Sequence, residues 1–149
     1  MIVATTDTQF SVPPERVFAV LSDPESYADW VVGSHSIRDA DPNWPAVGSR
    51  FHHRVGAGPL NVKDHTEVLE VDPPRRLVLR ARARPLGTAK VEIVLEPRDG
   101  GTHVTMTEVA GDPLSQLAIN RLTDPLVHRR NVESLRRLRR ISETGVLKI

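Results

Sequence analysis

An α+β fold is predicted, with a curved antiparallel sheet laid against one long C-terminal helix. The first sign is the run from Asp124 to Ile141, the one long and strongly helical pattern in the chain. Set at about 100° per residue from Leu126, its Val127, Leu135, Leu138 and Ile141 fall within one arc, together with Asn131 and Ser134. Arg129, Arg130, Arg136, Arg137, Arg139 and Arg140 take the remaining circumference, with Glu133 and Glu143 among them. The second sign is that nearly everything upstream alternates with the period of a strand. The third is that these segments are joined by hairpin-length connections, which favour antiparallel pairing. A helix with one apolar face must be covered, and a sheet is the natural cover.

In chain order, Ile2, Ala4, Thr6, Thr8, Phe10 and Val12 share one side of a first strand. Pro13-Pro14 ends it and opens a short helix, with Glu15 in the first turn and Val17, Val20 and Leu21 on the inner side. Asp23-Pro24 repeats the signal as N-cap and first position of a second short helix, from which Tyr27 and Trp30 project the same way. His35 to Ala40 reads as a weak strand, and Asp41 to Pro45 as a loop carrying Trp44. Phe51, His53 and Val55 alternate with Arg50, His52 and Arg54, and Gly56 to Pro59 turns the chain. Leu60 to Val71 is a long strand ended by Asp72-Pro73-Pro74. Leu77, Leu79, Ala81 and Ala83 alternate with Val78, Arg80, Arg82 and Arg84, a half-buried strand turned by Pro85-Leu86-Gly87. Val91, Ile93 and Leu95 give the inner side of the next strand, and Arg98 to Gly101 a hairpin. Val104, Met106 and Glu108 share one side of the last strand. Gly111-Asp112-Pro113 opens a helix over Leu114 to Leu122, and Thr123-Asp124-Pro125 interrupts it, giving a kink or two helices in series. The final helix then runs to about Glu143.

A chain of 149 residues, 39% hydrophobic and 26% charged, suits one domain over residues 1–149 with a real core. A net charge of +1 gives no ground for a nucleic-acid partner. Without cysteine there is no disulfide framework, thiolate metal site or cysteine nucleophile. No apolar run approaches the roughly 18 residues of a membrane span, and MIVATTDTQF lacks the basic and apolar regions of a signal peptide. A soluble cytoplasmic protein without membrane insertion is therefore expected, as monomer or homodimer.

The string SVPPERVFAVLSDPESYADW resembles the opening of START-like, or SRPBCC, proteins, closest to the branch called polyketide cyclase/dehydrase and lipid transport. EVDPPRRLVLR at Glu70–Arg80, GGTHVTMTE at Gly100–Glu108 and RRNVESLRRLRRISE at Arg129–Glu143 follow in that family's order and cover nearly the whole chain. The resemblance implies the helix-grip fold: about seven antiparallel strands wrapped around the C-terminal helix, with two short helices after the first strand. It further implies an interior cavity for a hydrophobic or aromatic, lipid- or polyketide-like small molecule. It carries over no catalytic motif, and the fold hosts many activities.

Such a cavity would be lined by inward strand residues and the inner helix face. The apolar candidates are Phe51, Val55, Leu79, Ala81, Val91, Ile93, Met106, Val127 and Leu135, with Ala81 and Ala83 small enough to leave a void or to allow tighter packing. Asn131, mid-stripe on the apolar helix face, contacts a ligand or bonds a strand carbonyl or a cavity water. Glu108, on the side of Val104 and Met106, is either an inward acid/base carboxylate or one that is wet or paired with an arginine. His53, on the parity of Phe51 and Val55, orients a carbonyl, acts as a base, or is satisfied by its neighbours. Tyr27 and Trp30 either stack on a flat ligand near the cavity entrance, where the resemblance places them, or anchor their helix. His65 and Glu67 face inward by simple parity, whereas a bulge would turn Asp64, Thr66 and Val68 inward instead. No metal site or cofactor is expected: the histidines fall on different strands, and G-x-S-x-G, P-loop and dinucleotide glycine patterns are absent. The primary expectation is binding of a hydrophobic small molecule. The alternative is a polyketide cyclase or dehydratase with acid/base residues drawn from Glu108 and His53. A third reading is a module binding protein or anionic membrane through the arginine face, which solvation of that face already explains.

Overall fold

The computed structural model describes residues 3–32, 34–55, 62–82, 88–110 and 125–145. Strand β1 (Val3–Phe10) leads into helix α1 (Pro14–Leu21), a single 3-10 turn (Pro24–Ser26) and the short helix α2 (Tyr27–Trp30). Six strands follow: β2 (Ser34–Ala40), β3 (Arg50–Val55), β4 (Val62–Asp72), β5 (Arg76–Arg82), β6 (Thr88–Arg98) and β7 (Gly101–Ala110). The long helix α3 (Pro125–Thr144) completes the described chain. All strands form one seven-stranded sheet in the order β1-β7-β6-β5-β4-β3-β2, and every neighbouring pair is antiparallel. The expected helix over Leu114 to Leu122, the hairpin Gly56 to Pro59, Ala83 and Pro85 to Gly87 lie outside the described residues, as do the side chains of His53, Val55 and Asp64.

Local chemistry sets the boundaries. Strand β1 stops at Phe10, short of Val12, where its pairing with β7 ends at Thr102. The Ser11 N–H then donates to the Glu143 carboxylate on α3 (2.8 Å), and Thr102 Oγ1 donates to the Val12 carbonyl (2.7 Å). Pro14 occupies the first position of α1, and the Asp23 carboxylate accepts from the Glu25 N–H (3.1 Å), as the two Pro-led starts predict. Asp99 (φ 51°) and Gly100 (φ 77°) make the two-residue β6–β7 turn, where both central positions need positive φ. Pro125 is the first described residue of α3, and the break expected at Thr123-Asp124-Pro125 reaches outside the described residues. Gly145 (φ 69°) closes the helix, its N–H donating to the Ile141 carbonyl (2.8 Å).

The buried face of α3 is the predicted arc: Asn131, Ser134, Leu135, Leu138 and Ile141, with Val127 half-buried. The core beneath its C-terminal half joins Leu138 and Ile141 with Phe10, Val17, Leu21, Leu95 and Val104. Two facings depart from simple alternation. The register shifts between Val68 and Glu70, so Thr66 and Val68 are buried while His65 and Glu67 are half-exposed; the bulge reverses the parity of the earlier half of β4. Val78 sits on the face shared by Arg76 and Arg80, yet it is fully buried. Glu70 and Glu92 flank it in the register, and Arg76 bridges both carboxylates (2.9 and 2.6 Å), which roofs the valine over.

On the outer side of α3, Glu133 accepts from Arg136 (2.9 Å) and Arg137 (3.2 Å), and these partners hold its carboxyl at about 2, below the usual 4.5. A depressed carboxyl supplies stability above its unfolded value and loses it as pH falls toward the folded one. Acidification from about 4.5 to about 2 should therefore weaken α3. Melting curves of Glu133→Gln against wild type across that window should show a smaller acid-side loss in the variant, and parallel curves would refute the assignment.

Candidate functional site

Cross-strand register brings the predicted lining residues into rows on the inner face of the sheet. The deepest of them runs Val71–Leu77–Ile93–Met106–Thr6 from β4 to β1. The middle row runs Val68–Leu79–Val91–Glu108–Ala4, and the outermost runs Thr66–Ala81–Ala89–Ala110. Leu77 and Ile93 are fully buried, whereas Val91, Glu108, Ala81 and Ala89 are only half-buried. Val127, in the first turn of α3, is likewise half-buried. On β6 and β7 burial thus declines from the deepest row outward, whereas Thr66 and Phe51 keep the β4 and β3 end of the outermost row buried. Phe51 extends that row onto β3 through its pairing with Thr66.

Glu108 and Asn131, singled out separately from sequence, meet. Asn131 Nδ2 donates to Glu108 Oε1 (3.1 Å), and Arg130 Nη2 donates to the same oxygen (2.9 Å). Arg130 also reaches Asn131 Oδ1 through Nε (3.3 Å) and Nη2 (3.2 Å). Asn131 is buried and the Glu108 side chain is 12% exposed. The partner of Asn131 is therefore a carboxylate, not a strand carbonyl, and Glu108 belongs to an ion pair. Sequence reasoning placed Arg130 on the wet face. A helical wheel records where a side chain leaves the helix, and the flexible stem lets this guanidinium turn back toward the sheet. Its position next to Asn131 was the available signal.

The aromatic candidates form a cluster at the other side of the groove. The Tyr27 ring lies 5.0 Å from Trp30, 4.8 Å from Phe51 and 5.7 Å from Trp44, centroid to centroid. Tyr27 Oη (2.7 Å) and Trp44 Nε1 (3.1 Å) both donate to the Leu21 carbonyl at the end of α1. Burial, reinforced by the charge of Asp23, pushes the Tyr27 phenol well above its usual 10.0. Tyr27 thus fixes the helices to the sheet. Trp30 differs, because its buried indole N–H has no acceptor among the described residues. The Val32 N–H donates to Ser134 Oγ (3.1 Å), so the segment after Trp30 is seated on α3 one turn beyond Asn131. Leu135 is buried beside Ser134.

His53 lies on β3, four strands from β7, so about 19 Å of sheet width separates its strand from that of Glu108. His52 and His65 face each other across β3 and β4 (ring centroids 6.1 Å), and among the described residues no three His, Asp or Glu side chains gather as metal ligands would. Of the remaining helix arginines, Arg136 and Arg137 share Glu133, and Arg139 lies opposite Glu143 (4.0 Å). Among the described residues no helix is long and apolar enough to cross a membrane.

Comparison with known proteins places these observations in context. A family model described as polyketide cyclase / dehydrase and lipid transport matches residues 1–143. Among curated proteins no match is found. Solved structures similar in fold include a Mesorhizobium loti protein, 21% identical over 98% of this chain and 100% of its own, with a TM-score of 0.71. A Thermus thermophilus protein is 18% identical over 97% and 99% of the two chains, with a TM-score of 0.73. The solution structure of the Aha1 dimer from Colwellia psychrerythraea is 16% identical over 97% and 98%, with a TM-score of 0.68. At such identities the likeness is one of fold.

Proposed function

The chain belongs to the polyketide cyclase/dehydrase and lipid transport family, and from that membership we propose that it binds a hydrophobic or aromatic small molecule between the sheet and the N-terminal half of α3. The observation that carries this reading is the outermost inner row, Thr66–Ala81–Ala89–Ala110, lying beside half-buried Val91. Where a packed core would set Leu or Ile, Ala81 and Ala89 set methyl groups, and apolar lining left open to entry is what a ligand site requires. Leu79, Ile93, Met106 and Leu135 form the floor, Phe51 and Trp30 the flank, and Glu108 with Asn131 the polar end.

Ala89→Leu discriminates filled from open space. If the row borders a ligand space, the larger side chain enters it without strain, stability holds or rises, and affinity for naphthalene falls at least about tenfold. If sheet and helix already pack tightly there, the same substitution overpacks and costs about 1–3 kcal/mol. Naphthalene binding can be read from Trp30 fluorescence in a Trp44→Phe background, with chemical denaturation for stability. A destabilised variant with unchanged naphthalene affinity would refute the proposal.

A further inference from the structure

We propose that the polar end of this site selects a neutral hydroxyl group on its ligand and rejects a carboxylate. This inference rests on the binding reading above and names the chemistry of the ligand. Both donors that hold Glu108, from Arg130 and Asn131, fall on Oε1. Oε2 accepts no hydrogen bond among the described residues, on a side chain that is 12% exposed. On the next strand the Thr6 hydroxyl is buried and also without a partner among the described residues. Thr6 pairs with Met106, two residues from Glu108 on the same face, which makes Thr6 and Glu108 diagonal neighbours. Side chains so placed stand about 7–8 Å apart at the backbone.

A hydroxyl satisfies both groups at once: it donates to Glu108 Oε2 and accepts from Thr6 Oγ1. A carboxylate brings acceptors only, and sets a second negative charge against Oε2. Two of the nitrogens of Arg130 are already committed to Glu108 and Asn131, and the Glu108–Arg130 pair is neutral as a unit. An aromatic or aliphatic alcohol therefore fits, and a free acid does not. Leaving a buried polar pair unmatched is costly, so discrimination should be large relative to one contact.

The test compares naphthalene, 2-naphthol and 2-naphthoate at pH 7, with affinities from tryptophan fluorescence. In wild type, 2-naphthol should bind about tenfold more tightly than naphthalene, the worth of roughly one charge-assisted hydrogen bond, and 2-naphthoate should bind more weakly than 2-naphthol. Thr6→Val, close in shape, should erase most of the naphthol preference, with an unchanged denaturation midpoint showing that the variant is folded. Glu108→Gln should shift the naphthoate-to-naphthol ratio about tenfold toward naphthoate by removing the charge. Equal affinity for naphthol and naphthalene, a preference that survives Thr6→Val, or an unshifted ratio in Glu108→Gln would overturn the inference and leave the binding reading standing. Failure of all probes to bind would overturn both.

Discussion

Replacing Tyr27 with alanine should destabilise the protein by about 3–5 kcal/mol, the usual cost of removing a large aromatic ring from a core. Tyr27 is 2% exposed and touches Trp30, Trp44 and Phe51, so its loss opens a void walled by three rings that belong to α2, the Asp41–Pro45 loop and β3. None of them can move in without abandoning its own contacts. Tyr27→Phe separates the hydroxyl from the ring. Because the Leu21 carbonyl keeps the Trp44 indole N–H as a partner, the cost should be only about 1 kcal/mol. The two variants should also part in alkali. Burial raises the Tyr27 phenol above its ordinary 10.0, so the folded state retains a proton that the unfolded chain releases. Stability must then decline as pH rises through about 10, and Tyr27→Phe should be spared that contribution. Denaturant titrations at pH 7 and above pH 10 give both comparisons. An alanine variant within 1 kcal/mol of wild type, by the same yardstick, would mean that the cluster does not hold the short helices.

Much of this architecture could be read in advance because its signals are local. Period-two alternation gives strands, a Pro after Asp or Pro opens a helix, and Leu135, Leu138 and Ile141 declare a buried stripe whatever covers them. The inner identities of Leu79, Ile93, Met106 and Glu108 followed from the same alternation. What could not be read depends on partners distant in sequence. Thr66 and Val68 face inward because the β4 register slips before Glu70, and a strand seen alone does not reveal the slip. Val78 is buried because Arg76 spans two carboxylates that come from neighbouring strands. The alanine row exists only once β4, β5, β6 and β7 are set in register, so Ala81 was visible as a small residue and Ala89 and Ala110 were not. The partner of Arg130 is hidden for a related reason: its direction is helical and its side chain stays 38% exposed, but the carboxylate it meets lies 22 positions upstream.

The meeting of Asn131 with Glu108 yields the second large effect. Asn131→Asp changes one atom of the site, replacing the Nδ2 donor that lies 3.1 Å from Glu108 Oε1 with an oxygen. At low pH a proton can sit between the two oxygens and restore the contact as an O–H···O bond. At neutral pH the pair would be two carboxylates in contact within a largely buried seam, a configuration that holds one proton abnormally firmly. The introduced carboxyl should therefore titrate above its unfolded value. For a raised carboxyl, stability is intact below the unfolded value and declines as pH climbs through the folded one. The variant should match wild type near pH 4 and lose about 2–4 kcal/mol by pH 7. Arg130 moderates the loss, since it already donates to both residues, but it cannot replace the missing donor between them. Asn131→Leu lacks the second charge, so its cost, about 1–3 kcal/mol for the abandoned carboxylate partner, should not grow between those pH values. The contrast isolates electrostatics from packing. If Asn131→Asp loses stability equally at both pH values, the amide and the carboxylate do not face each other as Oε1 and Nδ2, and the polar end of the groove must be drawn differently.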